Sequence, residues 1–253
     1  MTDVTTNVLD IGRLRTSCGA CALGQLCLPA GIDGDELVKL DEVVQSRRPL
    51  ERGRTLFQDG TPLHSLFVVR SGTFKTYTET ESGELQVLGF HLPGEILGFD
   101  ALSTDAHRCT AEALEYATVC EVPFDSLQAI AQRVPGFNRQ LLRVASREMV
   151  RDHEHLMMMG RKQAQERLAI FLRSLSDRHR RLQHSHDAFV LSMTRQDIAN
   201  YLGLVVETVS RLFTRFEEMG VLKVERKQIQ ICNFAKLDEL AGEPSPLALT
   251  SAG

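Results

Sequence analysis

Three cysteines stand close together near the start of the chain, and their types and spacing suggest a particular chemistry. Cys18, Cys21 and Cys27 form the pattern C-x2-C-x5-C. Gly19 and Gly24 lie between them, and such small residues let the backbone curl so that the sulfurs face a common centre. The pattern therefore favours a metal centre. The alternative is a set of reduced thiols with no structural role.

The other cysteines indicate which metal such a site would hold. A structural zinc site needs four Cys or His ligands, usually arranged as two close pairs, and the triplet has no second C-x2-C pair beside it. Cys109, Cys120 and Cys232 are isolated along the chain. Three clustered thiolates and one distant thiolate suit an iron–sulfur cluster, which is commonly held by four cysteines. The spacing alone leaves open which distant cysteine is the fourth ligand.

Composition limits the class of protein and its compartment. The chain has 253 residues, of which 43% are hydrophobic, so it can form one or two globular domains with real cores. The N-terminus lacks a basic and apolar leader, and no apolar run approaches the ~18 residues that span a bilayer. We therefore expect a cytoplasmic protein without a membrane partner. In that reducing compartment, clustered cysteines indicate metal ligands or redox thiols rather than disulfides.

The charge balance tests for a nucleic-acid partner. The net charge is −4 and the pI is about 6.1, so a uniformly basic surface is excluded and any DNA contact must be local. Between Arg143 and Arg181 the chain has ten Lys and Arg residues but five Asp and Glu residues. This segment is the basic part of an otherwise acidic protein.

Residues 50–125 have the pattern of a β-domain. Short β-type runs such as SLFVVRSG and ATVCEVPF are separated by turns. The turns recur at roughly 8–12 residue spacing, at Gly60, Gly72, Gly83 and Gly94. The pattern predicts a jelly-roll-like β-roll that acts as a sensor domain. A cupin-like metal enzyme would need closely spaced histidines. The histidines of this segment are isolated from one another: His64, His91 and His107. We therefore expect no enzyme.

Residues 135–160 change to a helical pattern with a heptad seam. Its apolar members are Leu142, Ala145, Met149, Leu156 and Met159, and its charged member is Asp152. The seam fits either a helix packed on its own domain or two copies of the helix paired in a homodimer. The opposite face carries Arg147 and Arg151.

The segment LSMTRQDIANYLGLVVETVSRLFTRFEEMGVLKVERKQIQI has the parts of a winged helix-turn-helix. Thr194 and Asp197 can form a capping box, and Gly203 can make the turn after the first helix. Gly220 can end the second helix, and the alternating residues after it predict a two-stranded wing. The apolar stripe of the second helix should face the core: Val209, Leu212, Phe213 and Phe216.

The exposed face of that second helix carries residues suited to reading double-stranded DNA. Glu207, Ser210 and Arg211 lie in its first two turns, where a recognition helix meets base edges. Arg can bind guanine in a bidentate pair, Glu can accept a hydrogen bond from cytosine, and Ser can contact either kind of edge. We therefore predict DNA binding. The plain alternative is a solvated Glu/Arg surface.

Nearly the whole chain, from Cys18 to about Gly242, resembles the family of the cyclic-AMP receptor protein and the fumarate and nitrate reduction regulator. It is most similar to the oxygen-responsive FNR and ANR branch. The motifs that carry the resemblance are the cysteine triplet, FVVRSGTFKTY, GFHLPGEILGFDA, ATVCEVPF, TRQDIANYLGL and VETVSRLFTRF.

The resemblance implies a cofactor and a switch. It implies that Cys120 joins Cys18, Cys21 and Cys27 in holding a [4Fe–4S] cluster, which supports a DNA-binding homodimer without oxygen and breaks down to [2Fe–2S] and an inactive monomer in oxygen. It implies that the recognition helix reads TTGAT-type half-sites and that RNA polymerase is a partner. The charged Asp152 in the apolar seam, like the corresponding position of the family, predicts the dimer switch there, because its burial opposes pairing until a cluster-driven shift of the same helix near Met149 favours the dimer.

These inferences together predict an α+β fold with an N-terminal β-roll sensor domain, a long dimerisation helix and a C-terminal winged helix-turn-helix domain. The predicted parts are a cysteine-rich cluster-binding segment (1–30), the β-roll (31–134), the dimerisation helix (135–160), the DNA-binding domain (161–242) and a flexible tail (243–253).

The main alternative is a cyclic-nucleotide sensor on the same scaffold. Its phosphate-binding cassette needs Arg followed by Ser or Thr after a Gly-Glu pair. This chain has Gly94 and Glu95, but Cys109 separates Arg108 from Thr110. The alternative also gives the cysteine triplet no role.

Overall fold

The computed structural model describes residues 18–242 with the exception of Asp33, Arg47, Arg48 and Ser82. The predicted tail and the first 17 residues of the chain lie outside the described residues. The helices of the described part are α1 (Gly34–Val43), α2 (Phe124–Arg133), α3 (Pro135–Arg161), α4 (Ala164–Arg181), α5 (Arg195–Leu202), α6 (Val206–Glu218) and α7 (Phe234–Ala241). None of them is both long enough and apolar enough to cross a membrane.

The strands of the same part are β1 (Gln45–Ser46), β2 (Thr55–Phe57), β3 (Ser65–Ser71), β4 (Phe74–Glu79), β5 (Leu85–His91), β6 (Ile96–Leu97), β7 (Thr110–Ala113), β8 (Thr118–Pro123), β9 (Ala188–Val190), β10 (Leu222–Glu225) and β11 (Gln228–Ile231). The predicted α+β fold class is confirmed.

Two antiparallel four-stranded sheets form the β-roll. Their strand orders are β1-β8-β3-β6 and β2-β7-β4-β5. Buried side chains from both sheets form the core between them, among them Phe67, Val69, Phe74 and Val119. The predicted glycine turns are confirmed, since all four glycines have positive φ. Gly72 also lies so close to Ala117 that a Cβ there would stand 2.7 Å from the Ala117 Cβ, so no larger residue fits.

The long helix α3 has two different faces. Phe137 and Val144 are buried against α1, α2 and the β-roll. The opposite stripe is exposed, with 65% of Leu142, 60% of Met149 and 67% of Leu156 accessible to solvent. The helix therefore packs on its own domain through one face and leaves an apolar stripe free on the other.

The C-terminal domain has the predicted winged helix-turn-helix. The Thr194–Asp197 capping box is confirmed, and Gly203 and Gly220 have positive φ after α5 and α6. The four predicted core residues of the second helix are all buried. Strands β10 and β11 form the wing, and β9 pairs with β11 as a third strand. The sequence analysis did not predict β9.

Candidate metal centre and nucleic-acid interface

Residues 18–32 form a compact loop that brings the cysteine triplet to α3. Backbone hydrogen bonds close successive turns, from the Gly24 N–H to the Cys21 carbonyl (2.9 Å) and from the Cys27 N–H to the Leu23 carbonyl (3.1 Å). A Cβ on Gly24 would stand 3.2 Å from the Cys21 carbonyl oxygen, so a larger residue would be crowded there. The buried Gln140 of α3 donates to the Cys27 carbonyl at 3.0 Å. The loop is therefore attached directly to α3.

Cys120 reaches the same region from the β-roll. It lies on β8, opposite Ser46 of β1 and Val68 of β3, and its side chain is half-buried. Burial raises its thiol pKa, and the negative charge of Cys21 adds to that rise. Strand pairing thus places a cysteine remote in sequence beside the loop that carries the triplet.

The four thiols influence one another electrostatically. Burial, followed by the negative charges of Asp41, Cys120 and Cys21, raises the pKa of Cys18 to about 12. Burial likewise raises the pKa of Cys27, with added effects from Cys21, Cys18 and Cys120. Thiolates that repel one another lose that repulsion when a cationic metal centre binds them, because the ion's charge dominates the local field.

The described residues contain no group of three or more Cys, His, Asp or Glu side chains close enough to hold one metal ion. The four thiols share an environment but do not converge on a single point. His179 and His184 have a zinc-type H-x4-H spacing, with ring centroids 6.2 Å apart, but they belong to no such group within that part of the chain.

Cys109 lies in a different environment. Its thiol donates to Asp100 Oδ2 at 3.4 Å, and the same oxygen accepts the Arg108 N–H at 2.7 Å. Burial raises the pKa of the Cys109 thiol, and the negative charges of Asp100 and Asp59 add to that rise. No cysteine contributes to it. Cys232 is exposed after β11. Of the three isolated cysteines, Cys120 is the one grouped with the triplet.

Two carboxylates of the β-roll, those of Asp100 and Glu95, are bonded to groups of the protein itself. The Asp100 carboxylate accepts the Arg108 N–H and the Cys109 thiol, which lie in the stretch compared above with a phosphate-binding cassette. The Glu95 carboxylate accepts hydrogen bonds from Arg178 and Arg151.

The recognition residues predicted on α6 lie together on its exposed face. Glu207, Ser210 and Arg211 are all exposed. The Ser210 hydroxyl donates to the Val206 carbonyl at 2.9 Å, and the Arg211 Nε donates to the Glu207 carbonyl at 3.3 Å. Both side chains therefore lie along the first turns of α6, where a base edge can replace these local bonds.

The packing beneath α6 fixes the orientation of that face. The Arg195 guanidinium carbon lies 3.3 Å from the centroid of the Phe213 ring, which is a close cation–π contact. Burial lowers the pKa of Arg195, which still remains a cation at any physiological pH. Arg195 thus ties the start of α5 to the underside of the recognition helix. Sequence analysis did not single out this residue, because an isolated Arg–Phe pair 18 positions apart has no periodic signal.

The seam residues of α3 separate into two groups. Met149 and Asp152 are exposed beside the other residues of the free stripe. Met159, in contrast, turns toward the DNA-binding domain, where Arg167 donates to its sulfur at 3.8 Å and to its carbonyl at 2.8 Å. Met159 therefore differs from the exposed seam residues in contacting the DNA-binding domain.

Comparison with known proteins agrees with this architecture. Residues 47–134 match the family described as Cyclic nucleotide-binding domain, and residues 166–240 match the Crp-like helix-turn-helix domain. The chain is 44% identical over 238 residues to the Fumarate and nitrate reduction regulatory protein of Yersinia pestis, covering 94% of this chain and 95% of that protein. The chain belongs to the Crp/FNR family of transcription regulators.

Further members of the FNR group extend the match. The Transcriptional activator protein anr of Pseudomonas aeruginosa is 44% identical over 228 residues, covering 90% of this chain and 93% of that protein. The solved structure of FixK2 from Bradyrhizobium japonicum has a TM-score of 0.73 and 30% identity, covering 80% of this chain and 100% of that one. This FNR-type chain is therefore a DNA-binding transcription regulator and not an enzyme, as its sequence predicts.

Proposed function

We propose that this protein is an oxygen-responsive transcription regulator of anaerobic metabolism, with a [4Fe–4S] cluster held by Cys18, Cys21, Cys27 and Cys120. The observation that supports this most is the grouping of thiols, since Cys120 influences the triplet and Cys109 does not. Relatives named Anaerobic regulatory protein, from Aggregatibacter actinomycetemcomitans and Haemophilus influenzae, also favour anaerobic regulation. The proposed setting is the cytoplasm, where thiols stay reduced.

The cysteine loop gives the site a direct route to the dimerisation helix. The cluster would supply an oxygen-labile centre, and its conversion from [4Fe–4S] to [2Fe–2S] would be the oxygen signal. Gln140 holds the Cys27 carbonyl from α3, so a rearrangement of the loop changes the packing of that helix. Gln140 lies four residues before the buried Val144, so both are on the buried face of α3, opposite the exposed stripe.

The exposed stripe of α3 is the proposed homodimer interface. Leu142, Met149 and Leu156 present apolar surface that a second copy of the helix would bury. Asp152 lies within this stripe, and its charge opposes pairing because a carboxylate leaves water at a cost. In the proposed switch, a loop-driven shift of α3 near Met149 offsets that cost.

The dimer would present two copies of α6 to double-stranded DNA. In each copy Glu207, Ser210 and Arg211 would read one TTGAT-type half-site, with Arg211 on a guanine and Glu207 on a cytosine. On the basis of the family resemblance, we further propose that the DNA-bound dimer binds RNA polymerase.

The proposal is tested by purifying the protein without oxygen and measuring iron, acid-labile sulfide and the visible spectrum. We expect about four irons per chain in the natural protein and in Cys109→Ala, and loss of the cluster in Cys120→Ala and Cys21→Ala. Cys109→Ala is the matched control, because it removes a buried thiol without touching the group of four. Cluster loss in Cys109→Ala together with retention in Cys120→Ala would reverse the ligand assignment.

A cyclic-nucleotide sensor is the second candidate, and the match to the cyclic nucleotide-binding family favours it. The Asp100 carboxylate argues against it, because it is bonded to the Arg108 N–H and the Cys109 thiol and its charge would repel a phosphate there. Calorimetric titration of the apo-protein with cyclic AMP and cyclic GMP tests this candidate. We expect no heat of binding at millimolar nucleotide.

A further inference from the structure

A partly buried carboxylate joins the three parts of the molecule. Glu95 lies in the turn between β5 and β6, in the β-roll. Arg178 of α4 donates to both of its oxygens, from Nε to Oε1 at 2.8 Å and from Nη2 to Oε2 at 2.6 Å. Arg151 of α3 donates to the same two oxygens at 3.1 and 3.2 Å. One side chain therefore links the sensor domain, the dimerisation helix and the DNA-binding domain.

The bonds around this carboxylate are fully satisfied. The Leu92 N–H also donates to Glu95 Oε2 at 3.0 Å, and Glu148 accepts from Arg151 at 3.3 Å. Two carboxylates thus face two guanidinium groups. Burial alone would raise the pKa of Glu95, but Arg178 and Arg151 hold it at about 2, so the group is charged at neutral pH.

A second set of contacts joins the same two domains through α5. The Asn200 side-chain oxygen accepts the Val87 N–H of β5 at 2.5 Å, and Gln86 donates to the Asn200 carbonyl at 3.2 Å. Lys75 of β4 forms an ion pair with Asp197 at 3.0 Å. The Val87 amide is therefore protected by a bond that exists only while the two domains are in contact.

The covalent link between the long helix and the DNA-binding domain is short, and Arg167 of α4 bonds across it to the carbonyls of Met159 and Lys162. Two residues, Lys162 and Gln163, separate α3 from α4, and both have extended backbone. A short extended link allows a hinge rotation, so non-covalent contacts must set the angle between the domains. In the arrangement observed, the recognition face of α6 remains exposed.

We infer that Glu95 is a positioning residue for DNA recognition: through Arg178 and Arg151 it fixes the angle of the DNA-binding domain. In a dimer, two recognition helices must stand one helical turn of DNA apart to bind both half-sites together. Rigid domains hold that spacing before DNA binds, which raises the effective concentration of the second helix at its half-site. This inference rests on the proposed DNA-binding dimer.

Amide hydrogen exchange tests the positioning role without DNA. In the intact cluster-loaded protein, Glu95→Gln should speed exchange of the Val87 amide at least about tenfold, because the contact with Asn200 opens more often. The Leu114 amide, which donates to the Thr73 carbonyl inside the β-roll, should not change. Glu51→Gln is the matched control, since it removes an exposed carboxylate from the same domain. Unchanged exchange at Val87, or equal acceleration at Leu114, would overturn the inference.

DNA binding gives a second readout that does not depend on the proposed TTGAT sequence. The probe is the palindrome that the natural protein selects from a random library, together with its single half-site and versions with one or two added central base pairs. Compared with the natural protein, Glu95→Gln should bind the palindrome about tenfold more weakly and should tolerate altered half-site spacing better. Its affinity for the single half-site and its dimer dissociation should not change. Equal losses on palindrome and half-site would contradict the inference.

Variants of Arg178 address the case in which Glu95→Gln does not fold. Arg178→Lys keeps the charge but loses the bidentate geometry, and Arg178→Met keeps neither. We expect Val87 exchange in Arg178→Lys to fall between the natural protein and Arg178→Met. Identical exchange in all three proteins would show that the ion pair does not position the domain.

Discussion

The carboxylate in the exposed stripe of α3 offers a direct test of the proposed oxygen switch. Asp152 lies between Met149 and Leu156, which are 60% and 67% exposed, so pairing two helices through this stripe brings the two Asp152 side chains together. Replacing Asp152 by Ala removes both charges and extends the apolar surface. We expect this variant to dimerise in air without an intact cluster.

The size of the effect follows from electrostatics. Two carboxylates ~5 Å apart, at an effective dielectric near 20, repel by about 3 kcal/mol. Since 1.4 kcal/mol corresponds to a tenfold change in an equilibrium constant, the Asp152→Ala dimer should dissociate about 100-fold less readily. Desolvation of the two charges adds to this difference. A change of this size moves a protein from mainly monomer to mainly dimer at micromolar concentration.

Sedimentation velocity of the aerobic protein measures the change, and a gel-shift assay with the selected palindrome follows its consequence for DNA binding. Asp152→Asn should show much of the effect, because it removes the charge but keeps the polar group. Glu51→Ala, which removes an exposed carboxylate outside α3, should remain monomeric. If aerobic Asp152→Ala stays monomeric at micromolar concentration and does not shift DNA, the charge-repulsion argument is refuted.

Three further predictions concern single residues. Arg211→Ala should lose about 1–3 kcal/mol of discrimination at one G·C pair per half-site, measured by binding to single-base variants, whereas unchanged discrimination would argue against α6 as the reading helix. Gln140→Leu leaves the Cys27 carbonyl without its donor and should lower the free energy of unfolding of the apo-protein in urea by about 1–3 kcal/mol, with Gln25→Leu as the exposed control. The folded pKa of Glu95 (about 2) lies below its ordinary value of 4.5, so its stabilisation is complete above pH 4.5 and is lost as the pH falls toward 2. Urea unfolding of the apo-protein between pH 5 and 3 should therefore show a steeper loss of stability in the natural protein than in Glu95→Gln.

Local patterns in the sequence determined much of the architecture. The capping box at Thr194, the glycine after each helix of the helix-turn-helix and the buried stripe of α6 each depend on residues within a few positions of one another. The same holds for the glycine turns of the β-roll. Helical and strand periodicities and turn geometry are local properties, so they can be read without knowing what packs against them.

Contacts between distant residues were decided by the tertiary structure. The heptad pattern placed Arg151 opposite the seam and Met159 within it, but it did not reveal that Arg151 bonds to Glu95 or that Met159 contacts Arg167 of α4. Strand β9 forms because β11 pairs with it, although its own three residues carry too little periodic signal. In each case the partner is supplied by another element, and no spacing within the segment reveals it.

The candidate metal site shows the same division. The spacing of Cys18, Cys21 and Cys27 identifies the triplet but leaves the fourth cysteine open. Only the family resemblance implies Cys120. The pairing of β8 with β1 and β3 carries Cys120 to the side of the roll where the loop lies, while Cys109 is bonded to Asp100 elsewhere. The register of a β-sheet is a long-range property, because it depends on which strands pair. Strand pairing in the folded roll, and not distance along the chain, therefore decides which distant thiol lies near the cysteine loop.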